Sequence, residues 1–350
     1  MELVDQLSIH QTIDAEALRA LLLCQDTSVV SYLHAEARRV ADQAYGRKVF
    51  VRGLLEVSNH CRNNCYYCGL RRDNRELRRY RLTTDTIVDC CKKAYTWGFR
   101  TFVLQGGEDP LQDDDWVVET VTRLRQLFPD CAITLSLGEK SRESYKRFRE
   151  AGADRYLLRH ETYNASHYQQ LHPREMSQHH RLQCLGWLRE LGFHTGCGMM
   201  VGSPGQTVDH LVEDLLYIHA SRPAMVGMGP FLPHHATPFA HEPAGSVELT
   251  LRLISIVRLL LPEVLLPATT ALGSLIPGGR LLGLKAGANV LMPNVSPSGA
   301  REAYALYDHK DAGAMTGPAD WAALEKTLDE AGFELAVGRG DNLLYNTCPP

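Results

Sequence analysis

Val51-Arg-Gly-Leu-Leu-Glu-Val57 runs directly into Ser-Asn-His-Cys61-Arg-Asn-Asn-Cys65-Tyr-Tyr-Cys68-Gly69. The first seven residues are rich in apolar, β-prone side chains and read as a strand. The rest reads as a loop that carries three cysteines at C-x₃-C-x₂-C spacing. A strand feeding a ligand-bearing loop is the opening of a strand–helix unit, and the chain repeats that rhythm to its end. Further candidate strands are Thr101–Gln105, Ala132–Leu137, Arg155–Arg159, His194–Val201, Met225–Gly229, Val264–Thr269 and Ala288–Met292. Amphipathic helical segments separate them. Thr84, Ser141 and Thr207 stand as N-caps, and Gly98 and Gly152 stand just past helix ends. Eight alternations predict parallel strands with crossover helices: an α/β fold, with a closed (β/α)₈ barrel first and an open doubly wound sheet second. Residues 1–45 precede the first strand with a helical pattern and are expected to cover the bottom of the barrel. The barrel is expected over 46–300. Residues 301–350 hold one convincing helix, Asp320–Ala331, and are expected to form a cap.

The chain has 350 residues, with 37 Lys+Arg against 41 Asp+Glu, a formal charge of −4. That balance argues against whole-molecule attraction to nucleic acid or anionic lipid. The most apolar stretch, Leu251–Leu266, is interrupted by Arg252, Arg258, Pro262 and Glu263, so no membrane span is expected. Nor does the N-terminus read as a signal peptide. Seven of the ten cysteines are scattered, at Cys24, Cys90, Cys91, Cys131, Cys184, Cys197 and Cys348. This is not a disulfide framework, and a reduced cytoplasmic location is expected.

The remaining three cysteines lie at the end of a first barrel strand, on the face where active sites of this fold sit. Three thiolates on a short loop hold three corners of a 4Fe–4S cluster and leave the fourth iron open for an exchangeable ligand. A zinc knuckle is the competing reading. It needs a fourth ligand nearby, and His60, adjacent to Cys61, is poorly placed to close a tetrahedron on the same ion.

With Tyr67 before the third cysteine, this loop resembles that of radical S-adenosylmethionine (SAM) enzymes. The resemblance implies that the open iron chelates SAM and that one electron cleaves its S–C5′ bond. Gln105-Gly106-Gly107-Glu108-Asp109-Pro110 resembles the element that receives the SAM amino group, so Gly106, Gly107 and Glu108 are assigned there. Arg159 and Glu161, two apart on one strand face, suit a carboxylate and a ribose or amine, or else pair with each other as a salt bridge at the strand end. Arg181 is in reach of the SAM carboxylate. Thr134 and Ser136 share a strand face, and Cys131 has the opposite parity. Arg71–Arg81 holds six arginines against Asp73 and Glu76. It reads as a solvated loop or as a docking surface for an acidic electron donor such as flavodoxin or ferredoxin, rather than as an RNA site.

LQGGEDP, TLSLGE, ADRYLLRHET, VGSPGQT, VGMGPFLPH, LPATTALG, PGGR and GANVLMPN, together with Cys68-Gly-Leu-Arg71-Arg-Asp73-Asn74, resemble the FeFe-hydrogenase maturase family of HydE type. These matches run from about residue 50 to Tyr307. The resemblance implies a complete barrel with an internal cavity. It also implies a role in building the diiron subcluster of the hydrogenase H-cluster from a cysteine-bound iron carbonyl cyanide complex, with HydG-like and HydF-like maturases as partners. Matching the motifs gives Thr134, Arg159, Met225, Thr269, Thr270, Met292, Tyr304 and Tyr307 as substrate contacts, with Arg159, Tyr304 and Tyr307 near the chemistry. Several relatives carry three further cysteines near the C-terminus for a second cluster. Here none lies between Cys197 and Cys348, so a single cluster is expected. The alternatives are a radical SAM enzyme acting on a small amino acid, of methylornithine synthase type, and a non-catalytic iron–sulfur scaffold. Biotin synthase chemistry fits less well, because the parity of Cys131 offers no wall for a sacrificial second cluster.

Overall fold

The computed structural model describes residues 1–310 and 313–345; Cys348 lies outside them. Among the described residues nine strands occur in chain order: β1 (Lys48–Val51), β2 (Gly53–Ser58), β3 (Thr101–Gly106), β4 (Ala132–Ser136), β5 (Arg155–Leu157), β6 (His194–Val201), β7 (Met225–Pro230), β8 (Val290–Leu291) and β9 (Glu334–Ala336). All named pairings are parallel. β2 to β7 form one sheet in chain order, and β8, β1 and β9 form a second. β1 and β2 are one strand broken at Arg52, which joins the two sheets.

Backbone hydrogen bonds complete the circuit. Val226 N–H donates to Leu265 O and Leu265 N–H to Ala224 O, both at 3.0 Å. Asn289 N–H then reaches Leu266 O at 2.9 Å, and Ala268 N–H reaches Val290 O at 3.0 Å. Arg52 N–H to Leu291 O and Leu54 N–H to Pro293 O, each 2.9 Å, return to the first strand. The eight expected barrel positions are therefore present. The seventh, around 264–268, is held by isolated bridges rather than a ladder. Pro262 and Pro267 lack the N–H groups a longer ladder needs, and Pro293 stops β8 for the same reason.

The alternation of side chains is also as expected. Val51, Leu55, Val57, Ile133 and Leu135 pack outward into the main core with the crossover helices. Arg52 and Thr134 instead line a cavity inside the barrel. Ser141 and Thr207 cap the helices Arg142–Glu150 and Val208–Ser221, accepting from Ser144 N–H and His210 N–H. The cap of helix Thr84–Trp97 is Thr83, one residue earlier than expected, because its hydroxyl rather than that of Thr84 meets the Thr86 N–H. The strand containing Arg159 ends two residues early, at Leu157.

The ends of the chain depart from expectation. Helix Thr27–Tyr45 packs chiefly along the outer helix Val247–Leu260, and helix Ala15–Leu23 packs on Val208–Ser221. Apolar stripes on these helices find apolar partners on the barrel's outer layer, while Tyr45, at the end of Thr27–Tyr45, packs on Leu157, Met225 and Leu265 in the lower layer. The base is closed by the C-terminal segment. Arg155, buried at the start of β5, pairs with Asp341 at 2.6 Å. Arg339 bridges Asp154 and Asp341, each at 2.9 Å. Asn342 Nδ2 donates to Ala224 O and Glu263 O. β9 adds a strand alongside β1.

Candidate active site

The cysteine loop, Asn59–Leu82, leaves the end of β2 and is held by its own polar side chains. Arg79 donates to the carbonyls of Leu70, Arg71 and Asn74 at 2.7–3.0 Å, and to that of Asn59. Asn59 Nδ2 ties the loop to Arg78 O and Ala303 O. Asp109 accepts bidentately from Arg81 and also from Ser58 Oγ at 2.6 Å, which links the start of the loop, its end and the turn after β3. Such a loop has little freedom to rearrange, so its thiols are set in place in advance.

Cys61, Cys65 and Cys68 are each half-buried free thiols on this loop. Burial pushes all three thiols up, Cys68 to about 12. The neutral thiols are thus favoured until a cation compensates the thiolates, so metal loading here releases protons. Among the described residues, the only three metal-ligating groups within 4.8 Å of one another are His234, His235 and Asp308. The cysteine thiols are set wider than that, which suits a polynuclear cluster rather than one zinc ion. The rings of His234 and His235 stack nearly parallel at 4.4 Å. Their in-plane lone pairs therefore do not converge on a common ion.

Gly107 lies directly under the loop. A Cβ there would come within 2.2 Å of His60 O and 2.8 Å of the Cys61 Cβ, so no side chain is tolerated. The Glu108 carboxylate is buried but engaged, accepting from Arg62 Nε at 3.0 Å and from the Glu139 N–H at 2.8 Å. It braces the loop against the turn after β4. Glu139 holds Arg181 Nε, and Arg181 Nη1 donates to Arg159 O at 2.8 Å. Arg181 is accordingly buried inside the fold. A polar chain thus runs from Arg62 through Glu108, Glu139 and Arg181 to the end of β5.

Arg159 and Glu161 lie at the end of that chain, 3.1 Å apart as an ion pair. Arg159 Nη2 and Glu161 Oε2 face each other in that pair without hydrogen-bond geometry, and Arg159 Nε is buried with no partner. Glu161 also has φ +65°, a left-handed conformation that a glutamate rarely adopts. Its N–H donates to Gly198 O and its carbonyl accepts from Met200 N–H, so β6 imposes this geometry. An ion pair without good hydrogen-bond geometry, on a strained backbone, is the kind of place that receives a ligand.

Tyr67 sits against His172, with its hydroxyl 3.2 Å from Nε2. Burial holds His172 near 3, so the ring is neutral; its Nδ1–H donates to Tyr168 O and its Nε2 accepts from Tyr67. Ser136 is half-buried at the end of β4. Tyr304 is buried, 3.4 Å from Gln105 Nε2, with Lys310 Nζ 4.8 Å from its ring centroid. Lys310 also donates to Glu56, a carboxylate buried in β2. Tyr307 is half-buried nearby in the chain. Thr269 caps the short helix Thr270–Leu275, and its buried hydroxyl has no partner. Thr270 is half-buried beside it.

Thr134 and Met225 lie deeper. With Arg52, Arg155 and Leu265 they enclose a cavity of about 10 Å³, close to what one water needs. Met292 packs beside Met225 and Leu157 in the same lower layer. Arg52 is fully buried, touching Met225 Sδ at 2.7 Å through Nη1 and leaving Nε and Nη2 unpaired. Burial pulls its pKa well down, and the Arg155 charge adds to that. The sequence reading passed over Arg52, Glu139 and His172. Arg52 carried a usable signal, since an arginine inside an apolar strand, sharing parity with Glu56, points into the barrel.

A closed eight-stranded barrel with a three-cysteine loop after its first strand defines a class of enzyme, and the comparisons agree. The Radical SAM superfamily model matches residues 55–218. The [FeFe] hydrogenase maturase subunit HydE of Thermotoga maritima is 47% identical over 295 residues, 84% of each chain. The 3-methylornithine synthase of Methanosarcina barkeri is 30% identical over 83% of this chain and 82% of its own. The crystal structure of methylornithine synthase (PylB) superposes with a TM-score of 0.84 at 27% identity, covering 95% of this chain and 97% of that one. That of HydG, a maturase of the [FeFe]-hydrogenase, superposes with a TM-score of 0.82 at 20% identity and shows the shared fold. The chain belongs to the HydE family of radical SAM enzymes.

Membership implies a 4Fe–4S cluster and SAM. The residues fit both: three spaced thiols over a cradle at Gly107 that a Cβ would fill, and the Arg159–Glu161 pair, in which Arg159 Nε is buried without a partner. Among the described residues no helix is long and apolar enough to cross a membrane.

Proposed function

We propose that this chain is a maturase of the FeFe-hydrogenase, acting in the anaerobic cytoplasm on a small organometallic precursor of the H-cluster. The observation that carries the reading is the 47% identity to HydE over 84% of the chain, which spans the cysteine loop and the ends of most barrel strands. When bound, the cluster and SAM supply one-electron cleavage of the sulfonium to methionine and a 5′-deoxyadenosyl radical. The protein's part is to bind, orient and exclude water. Cys61, Cys65 and Cys68 hold the cluster. The Gly106–Gly107 turn and Ser136 lie where the amino-acid end of SAM is received, with Glu108 and Arg181 bracing that wall. Glu161 and Arg159 take the ribose or a carboxylate. Tyr67, fixed by His172, closes the apolar side.

The substrate lies below, between Thr269, Thr270, Tyr304 and Tyr307 above and Thr134, Met225 and Met292 beneath. Arg52, with no carboxylate in ion-pair distance among the described residues, favours a substrate with anionic or metal-bound cyanide groups. One cluster is proposed, because the region from Cys197 to Cys348 has no cysteine to hold a second. HydG-like and HydF-like maturases are the proposed partners, with a low-potential protein as reductant.

The 30% identity to 3-methylornithine synthase favours one alternative, a radical rearrangement of a small amino acid. The experiment is anaerobic incubation with SAM and dithionite, followed by a reconstituted hydrogenase maturation assay and a lysine turnover assay. We expect 5′-deoxyadenosine and active hydrogenase. Lysine turnover without maturation would replace this reading with the mutase, and absence of 5′-deoxyadenosine would reduce the chain to a scaffold. Arg159→Ala is expected to lower substrate-dependent SAM cleavage by about tenfold or more, the scale of a lost charge-assisted contact.

A further inference from the structure

Apart from Arg71, half-buried with Nε on Asn64 Oδ1 at 2.8 Å, the arginines of the cysteine loop divide into two sets. Arg79 and Arg81 are spent inside the protein, on carbonyls and on Asp109. Arg62, Arg72, Arg75 and Arg78 are exposed, with Arg62 Nε on Glu108 at 3.0 Å and Arg78 Nη2 on Gly299 O at 3.2 Å. These four stand on the segment that carries the thiols. Arg62 follows Cys61 directly. Arg71 N–H donates to Cys68 O at 3.1 Å, and Arg72 N–H donates to Asn63 O at 2.8 Å, so the arginine-bearing stretch is laid on the cysteine-bearing turn. Its two acids are partly neutralised: Asp73 accepts from Asn64 and pairs with Arg72, and Glu76 meets His235 Nε2 at 3.2 Å. Arg75 has no carboxylate within ion-pair distance among the described residues. On a chain of net charge −4, this is a local positive field in the wrong place to be general solubility.

We infer that the exposed face of Arg62, Arg72, Arg75 and Arg78 is the docking surface for a small acidic one-electron carrier protein. This rests on the proposed reductive function. The inner side of the loop faces the barrel, where SAM and substrate are bound, so an electron arrives from the outer side. The docked donor loses one electron and the cluster held by the loop gains it; no bond is made and no proton moves in that step. Arginine guanidinium groups around the loop steer an acidic surface to it and set its orientation, as rim charges do at other transient interfaces. RNA fits the same face less well. Tyr80, the aromatic within the stretch, donates its hydroxyl inward to Glu56 O at 2.8 Å and offers no stacking surface.

The test is binding, with activity as a second readout. Fluorescently labelled acidic flavodoxin is titrated with the full chain, by anisotropy, at low and high salt. Wild type is expected to bind, with affinity falling steeply as salt rises. The double variant Arg72→Glu, Arg75→Glu is expected to bind about tenfold or more weakly at low salt. The same variant is expected to keep wild-type SAM cleavage with dithionite and to lose it with reduced flavodoxin. Unchanged flavodoxin affinity in the variant overturns the docking face, as does tighter binding of a labelled single-stranded RNA than of flavodoxin. Loss of the dithionite rate in the variant also overturns it, because the loop itself has then been damaged. If wild type gives no cleavage with dithionite, the proposed function fails, and the binding titration still decides the docking face.

Discussion

At the scale of single residues, Glu161 carries the clearest conflict between local and global preference. A left-handed glutamate costs on the order of 1–2 kcal/mol, and β6 enforces it through two backbone hydrogen bonds. The carboxylate so placed is buried, with Oε2 3.1 Å from Arg159 Nη2 and beside the unpartnered Arg159 Nε. This is strain held for a ligand. Glu161→Gly and Glu161→Ala both remove the carboxylate and are expected to weaken SAM binding, measured calorimetrically. They differ in backbone cost: the glycine variant is expected to be more stable than the alanine variant by about 1 kcal/mol in denaturant titrations. Equal stabilities would show that the conformation carries no strain. The Arg159–Glu161 pairing was legible in sequence, because two polar residues two apart share a strand face. The left-handed turn was not, since nothing in Arg-His-Glu-Thr announces it.

At the scale of elements, the C-terminal segment shows why local patterns mislead at chain ends. β9 and residues 339–342 have weak patterns of their own, yet they close the barrel's base. Arg155 begins β5 inside the barrel, and only Asp341, from 186 positions later, compensates it. Burial by itself would raise the Asp341 carboxyl, but Arg155 at 2.6 Å and Arg339 at 2.9 Å outweigh it and hold it at about 2, against an ordinary 3.8. A depressed carboxylate stabilises the fold above the unfolded-state value and loses that contribution as pH falls toward the folded value. The shift corresponds to about 2 kcal/mol, present near neutrality and lost between roughly pH 4 and pH 2. Asp341→Asn is expected to lose at least about that much near pH 6, because it also strands the Arg155 charge, and to converge on wild type as the pH approaches 2. Urea unfolding across that range checks it; a gap independent of pH would assign the cost to packing instead.

At the scale of the whole molecule, the cysteine pattern leads to a count. With three loop thiols and no second set, about four irons per chain are expected after anaerobic reconstitution, and Cys68→Ala is expected to abolish them. About eight irons would show a second cluster held by other ligands. The strand–helix rhythm, the inward parity of Thr134 and Ser136 and the cysteine loop were all determined by the sequence, because each follows from local periodicity or from ligands close together in the chain. Only the tertiary structure decided that Glu108 and Arg181 brace each other's neighbours, that Arg52 stands unpaired in the barrel, that Thr134 and Met225 lie below the mouth, and that the C-terminal segment meets Tyr45 at the base. The physical reason is common to all four. Whether a charge is free or spent depends on partners tens to hundreds of residues away, and burial fixes its cost only once those partners are in place.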